Sequence, residues 1–188
     1  TFLDLYGVDI YRISDQAKKD KQKYIIETIN YSSIFSDIFG ELIESKMNES
    51  ITEPDWIMQC DNVSSIHRNL TNPDESGYAD NTSFKYEGVD VEYRYSTVIS
   101  HAAYLMWNGG INGDDSKKIS ADDLAKLWYR AMLMMPSDCD FYDCRKLVEL
   151  AGTSMELTVN QIECISEVFD TVGITDATQK TISNTYNL

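Results

Sequence analysis

The chain has 188 residues, 16 basic against 31 acidic, for a formal net charge of −15. At 43% hydrophobic and 25% charged it has the composition of an ordinary globular domain, long enough for one substantial core. The acidic surface repels phosphate backbones, which argues against nucleic acid as a partner, and no apolar run reaches the roughly 20 residues that span a bilayer.

Residues 1–13, TFLDLYGVDIYRI, are apolar with Asp4, Asp9 and Arg12 interspersed, and are expected to open a buried helix running into the polar stretch SDQAKKDKQK. The sequence begins at Thr1 without a signal-peptide pattern, so its start is expected to be a processed end or an artificial boundary. Tyr24, Ile25, Ile26 and Ile29 lead into residues 30–47, where Ile34, Phe35, Ile38, Phe39, Leu42 and Ile43 form one broad apolar stripe at helical spacing. Asp37 interrupts that stripe. A carboxylate on a buried face needs a partner, and a hydroxyl, backbone N–H, arginine or water is expected beside it. The helix is expected to end near Met47–Asn48.

Residues 48–95 lack helical periodicity and carry turn signals at Glu53-Pro54-Asp55, Asn72-Pro73-Asp74 and Ser76-Gly77. A stretch this long without regular structure usually marks a functional or ion-stabilised loop. At its end Val89, Val91, Tyr93 and Tyr95 alternate with charged residues, the pattern of a strand or extended segment. Ser96 is then placed as the cap of a helix carrying Val98, Ile99, Ala102, Ala103, Leu105 and Met106, which stops at Asn108-Gly109-Gly110. Ser120 with Asp123 approximates a capping box for a helix with Leu124, Leu127, Trp128, Ala131 and Met135 on one face, closed by Pro136. A further helix carries Leu147, Val148 and Ala151. Thr158 with Gln161 caps the last one, whose face is Ile162, Ile165, Val168 and Phe169 and whose stop is Gly173. Residues 175–188 read as a polar tail or linker, and no internal repeat is present. The fold class is mainly α: a helical bundle with a long irregular loop region after the central helix.

Cys60, Cys139, Cys144 and Cys164 include no CxxC pair, and only His67 and His101 accompany them, which sets aside a zinc ribbon or finger. A small disulfide loop between Cys139 and Cys144 stands as an open alternative to two thiols, and would place the protein outside the cytosol.

Several stretches in order resemble the C-terminal helical lobe of the thermolysin-like neutral metallopeptidases. Ser36-Asp37-Ile38-Phe39-Gly40 is similar to the SDIFG of that family's active-site region, and Pro54-Asp55-Trp56 to the loop after it. Arg68-Asn69-Leu70-Thr71-Asn72-Pro73 resembles its R-S-M-x-D-P, and Ser96 through Leu105 its S-x-I-x-N-x-A-Y-L helix. Lys126 through Ala131 and Phe169 through Ile174 fit its last helices. The resemblance spans residues 3–174, which marks residues 1–174 as the helical domain. The family's β-rich N-terminal lobe has no counterpart in this sequence.

The resemblance implies a zinc-dependent peptidase scaffold, in which HExxH supplies two ligands and the catalytic base, and a later glutamate supplies the third ligand. Carried over residue by residue, that set is substituted. The third-ligand position is Ser33. The HExxH window falls on Asp9 through Ile13 or, in a second register, on Val8 through Arg12, and neither holds a histidine. The position of the transition-state histidine is Tyr93. Asp37 matches the aspartate that orients a zinc-bound histidine. Tyr24 and Arg68 match substrate-binding groups, and Asp4, Glu44 and Asp55 match calcium ligands beside positions that hold Ile57 and Cys60. Zinc is therefore expected to be absent, and calcium remains open. The expected function is that of a secreted, catalytically degenerate member retained for peptide or protein binding or as a structural lobe. The alternative is an active zinc metalloendopeptidase whose ligands lie outside these registers or come from a missing region. A hydrolase built on Ser33, Asp37 and Tyr93 lacks a supporting Ser–His–Asp order.

Overall fold

The computed structural model describes residues 31–47, 53–59, 66–84, 91–136 and 139–175. The expected first helix, Tyr24, Cys60 and residues 176–188 lie outside these. The described elements are α1 (Tyr31–Met47), β1 (Ile57–Gln59), β2 (Ile66–Asn69), a 3-10 turn (Pro73–Ser76), α2 (Val91–Asn108), α3 (Ala121–Met134), α4 (Phe141–Thr153) and α5 (Val159–Thr171). The mainly helical class is as expected. α1 packs on α2, α3 on α4, and α5 on both α4 and α2, around a core that includes Ile38, Ile99, Leu127, Trp128, Ile165 and Phe169.

The capping signals form as anticipated where they are local. The Thr158 hydroxyl accepts from the Gln161 N–H while the Gln161 side chain accepts from the Thr158 N–H, so both orphan donors at the start of α5 are satisfied. The Ser120 hydroxyl accepts from the Asp123 N–H at the start of α3. α5 closes at Gly173, whose φ of 81° requires the left-handed region. Gly173 O also accepts from the Thr82 hydroxyl at 3.0 Å, and Thr82 N–H donates to Val172 O at 2.9 Å, which pins the loop before α2 to the end of α5.

Two expectations are corrected, and one open alternative is decided. Residues 91–95 are helical rather than extended, and Ser96 lies inside α2 rather than capping it. The Ser96 hydroxyl that suggested a cap bonds backwards instead, donating to Tyr93 O at 2.8 Å, and the next residue's Thr97 Oγ1 lies 2.7 Å from both Arg94 O and Ala79 O. Second, the buried face of α1 is rotated from the expected stripe. Ile43 is exposed, while Ser33, Asp37 and Glu41 are buried beside Ile34, Ile38 and Leu42. Of the two states left open for Cys139 and Cys144, the structure has buried thiols.

Arg145 of α4 holds the end of the bundle. Its side chain is almost fully buried; Nε donates to Glu149 at 2.8 Å, and Nη1 contacts both Asp170 of α5 and Ile174 O. Removing it leaves the buried Ile174 carbonyl without this donor, while Glu149 and Asp170 keep access to solvent. Arg145→Met is expected to lower unfolding free energy by about 1–2 kcal/mol in urea denaturation. An unchanged midpoint would show that Arg145 only fills space.

Candidate functional site

α1 brings Asp37 to the centre of the fold because its neighbours Ile34, Ile38 and Leu42 commit that face to the core. The Asp37 side chain is fully buried. β1 and β2 pair antiparallel, with Met58 opposite Arg68 and an irregularity between Met58 and Gln59, and this hairpin carries Arg68 across α1. The Arg68 Nη2 lies 2.8 Å from Asp37 Oδ1, and Nη1 donates to Oδ2 at 3.0 Å. Only the Nη1 contact has hydrogen-bond geometry, so Oδ1 is held by charge alone. From α2, Ser100 Oγ donates to Oδ2 at 3.2 Å. The partner expected for Asp37 is thus an arginine and a hydroxyl together.

Burial pushes the Asp37 carboxyl up to about 6, with the Arg68 charge and the Ser100 hydroxyl pulling it back only in part. One turn further along α1, Glu41 is also buried, and its Oε2 accepts from the Trp56 N–H at 2.8 Å. Burial first, then the charge of Asp55, raises Glu41 to about 7, against a smaller lowering by the Trp56 N–H. Trp56 itself is fully buried with a φ of 60°, a conformation that a bulky residue adopts only when its surroundings impose it. The Glu41 acceptor on one side and the Leu70 N–H donating to Trp56 O at 2.8 Å on the other impose it here. The Trp56 ring then packs against Tyr104 and Trp107 of α2.

Each candidate residue has a definite place. Asp37 and Arg68 are brought together. Ser33, at the third-ligand position, is buried one turn before Asp37 on the same row of α1. Tyr93 sits in the first turn of α2 with half its surface exposed. Glu44 and Asp55 are both exposed, and Asp55 Oδ1 accepts from the Ile57 N–H at 2.9 Å, closing a turn. His101 is packed rather than open: its Nδ1 lies 2.7 Å from Leu70 O and its ring stacks on Tyr104. Burial lowers its pKa, and because its partner is a carbonyl oxygen Nδ1 is assigned as the donor. Asp4, Asp9 and Tyr24 lie outside the described residues. Among the described residues no group of three or more His, Cys, Asp or Glu could hold a metal ion. Asp37, the carboxylate best placed to support one, is already engaged by a guanidinium.

Sequence reasoning missed Ser100 and Glu41. Glu41 was legible: it falls four residues after Asp37, which itself falls four after Ser33, so the three share one row of α1. Ser100 was read as part of a motif and not as a donor, since nothing in its neighbourhood marks a partner 63 positions away.

Residues 29–174 match the family model described as thermolysin metallopeptidase, alpha-helical domain. No curated protein matches the chain.

Two outcomes test this geometry. Arg68→Met leaves a fully buried carboxylate without its cation and is expected to cost about 3–5 kcal/mol in urea denaturation. Adding Asp37→Asn should recover about 2 kcal/mol of that loss, the mark of direct coupling; simple additivity would show that the pair contributes nothing. The second concerns pH. The folded chain holds the Glu41 proton more tightly than the unfolded chain, from an ordinary 4.5 up to about 7. Its contribution to stability is therefore full below about pH 4.5 and is lost as pH rises through about 7. Relative to Glu41→Gln, the unsubstituted chain should lose about 3 kcal/mol between those limits, measured by denaturant unfolding across pH. A pH-independent difference would contradict the assignment.

Proposed function

The chain belongs to the thermolysin metallopeptidase family, in its alpha-helical domain, and from that premise we propose that it is a catalytically degenerate, secreted member that holds an extended peptide or protein segment rather than cleaving it. The observation that carries this reading is the engagement of Asp37. In the resembled scaffold that carboxylate orients a zinc-bound histidine; here both of its oxygens face Arg68, and Ser100 of α2 adds a donor to Oδ2.

Chemistry supports the same reading. A hydroxyl at Ser33 replaces a carboxylate ligand, and neutral hydroxyl is a poor donor for zinc beside imidazole and carboxylate. A phenol at Tyr93 replaces a histidine, and a phenol, unlike an imidazole, has no ring nitrogen that can take up a proton and carry positive charge. Nothing in the pair of Asp37 and Arg68 generates a nucleophile from water. What the pair does supply is a fixed donor. Arg68 is anchored through two nitrogens, and its side chain keeps 14% exposure, so it presents a fixed cationic donor at the edge of the core. A donor held in place before the peptide arrives loses little side-chain entropy on binding. The hairpin of β1 and β2 adds an extended backbone edge against which a peptide strand could align.

The decisive experiment is zinc content together with a peptidase assay on the purified protein. The expected result is substoichiometric zinc and no cleavage that a chelator abolishes. Stoichiometric zinc with chelator-sensitive cleavage of a peptide bond would replace this reading with an active metalloendopeptidase.

A further inference from the structure

Asp140 caps α4, and its carboxylate accepts from the Asp143 N–H at 2.8 Å while the Asp143 side chain accepts from the Asp140 N–H. This capping box turns the chain sharply into the helix. It puts Cys139 at the position before the cap and Cys144 at the fourth position of the helix, the two sites that pack against each other as a hydrophobic staple. In most staples both are aliphatic; here both are cysteines, each almost fully buried and each a thiol. Tyr31, the first residue of α1, has its hydroxyl buried beside Cys139. The two thiols therefore occupy the paired positions of the staple at the start of α4.

We propose that Cys139 and Cys144 form a redox-sensitive staple, a dithiol that a low-molecular-weight disulfide converts into an intrachain disulfide across the first turn of α4. The exchange balances in two steps. One cysteine loses its proton to solvent, and the thiolate attacks a sulfur of the small disulfide, expelling one thiolate of the reagent. The second cysteine, deprotonated in turn, attacks the protein-bound sulfur and expels the other. The two protein thiols are oxidised by two electrons, and one reagent disulfide is reduced to two thiols. Burial, reinforced by the neighbouring Cys139, Asp140 and Asp143, holds the Cys144 thiol well above its ordinary range, so the reaction is slow at neutral pH and accelerates as pH rises. Cys164 is a built-in control. It is buried on α5, burial raises it to about 11, and its charged neighbours are Glu167, Lys117 and Asp114.

The test equilibrates the purified protein with oxidised and reduced glutathione, with and without urea, then traps thiols by alkylation and maps peptides by mass spectrometry. The expected product is a Cys139–Cys144 bridge with Cys164 alkylated. Its equilibrium constant in the folded chain should exceed that in urea by roughly tenfold or more, because the staple holds the sulfurs together. In Cys144→Ser, Cys139 should instead stop at a mixed disulfide with glutathione. A folded-state constant at or below the urea value would overturn the proposal. So would a persistent mixed disulfide in the unsubstituted chain, or a bridge to Cys60 or Cys164.

Discussion

A carboxylate with no exposed surface sits at the middle of α1, and the fold must provide for its charge. Water is excluded from Asp37 by the same residues that build the core, so its stabilisation has to come from the protein. Arg68 reaches it from the hairpin and Ser100 from α2, so one buried group ties three separate parts of the chain together. The pair also fixes orientation. A guanidinium held through two nitrogens cannot swing away, and the hairpin that carries it is held in turn.

The constraint spreads along α1. Glu41 lies on the same row and holds the Trp56 backbone, which places that ring against Tyr104 and Trp107. Leu70 then links the two sides of the loop region, giving its N–H to Trp56 O and taking the Nδ1 proton of His101 on its own carbonyl. A stretch that carries almost no regular structure is thereby pinned to α1 and α2 through buried polar contacts. Apolar burial sets the bundle, and a row of buried polar side chains sets the loop on top of it.

How far the sequence disclosed this follows from the range of each interaction. The capping boxes of α4 and α5 and the stop at Gly173 rest on contacts within a few residues, so spacing alone locates them for α5. The start of α2 was misread because Val91, Tyr93 and Tyr95 alternate as strand residues do, while tertiary bonds such as the one from the Tyr95 hydroxyl to Phe84 O favour the helix. The face of α1 was misjudged because apolar residues alone were counted, whereas two acids and a serine share the buried side. That Asp37 needed a partner was legible from its surroundings. That the partner was Arg68, 31 positions away, came only from the fold.

Membership in the thermolysin family gives the scaffold, and the side chains at its chemical positions give the proposed loss of catalysis. Asp37 stands between the two. If it serves Arg68 in the working protein, α1 is the frame of a site whose metal chemistry has gone; if it serves a metal-bound histidine, the frame is still in use. Thermal unfolding of the metal-stripped protein under zinc titration separates these most directly. The account predicts a Tm that does not move with zinc. A saturable rise in Tm, abolished by Asp37→Asn, would show specific binding to the folded state through this carboxylate and would contradict it.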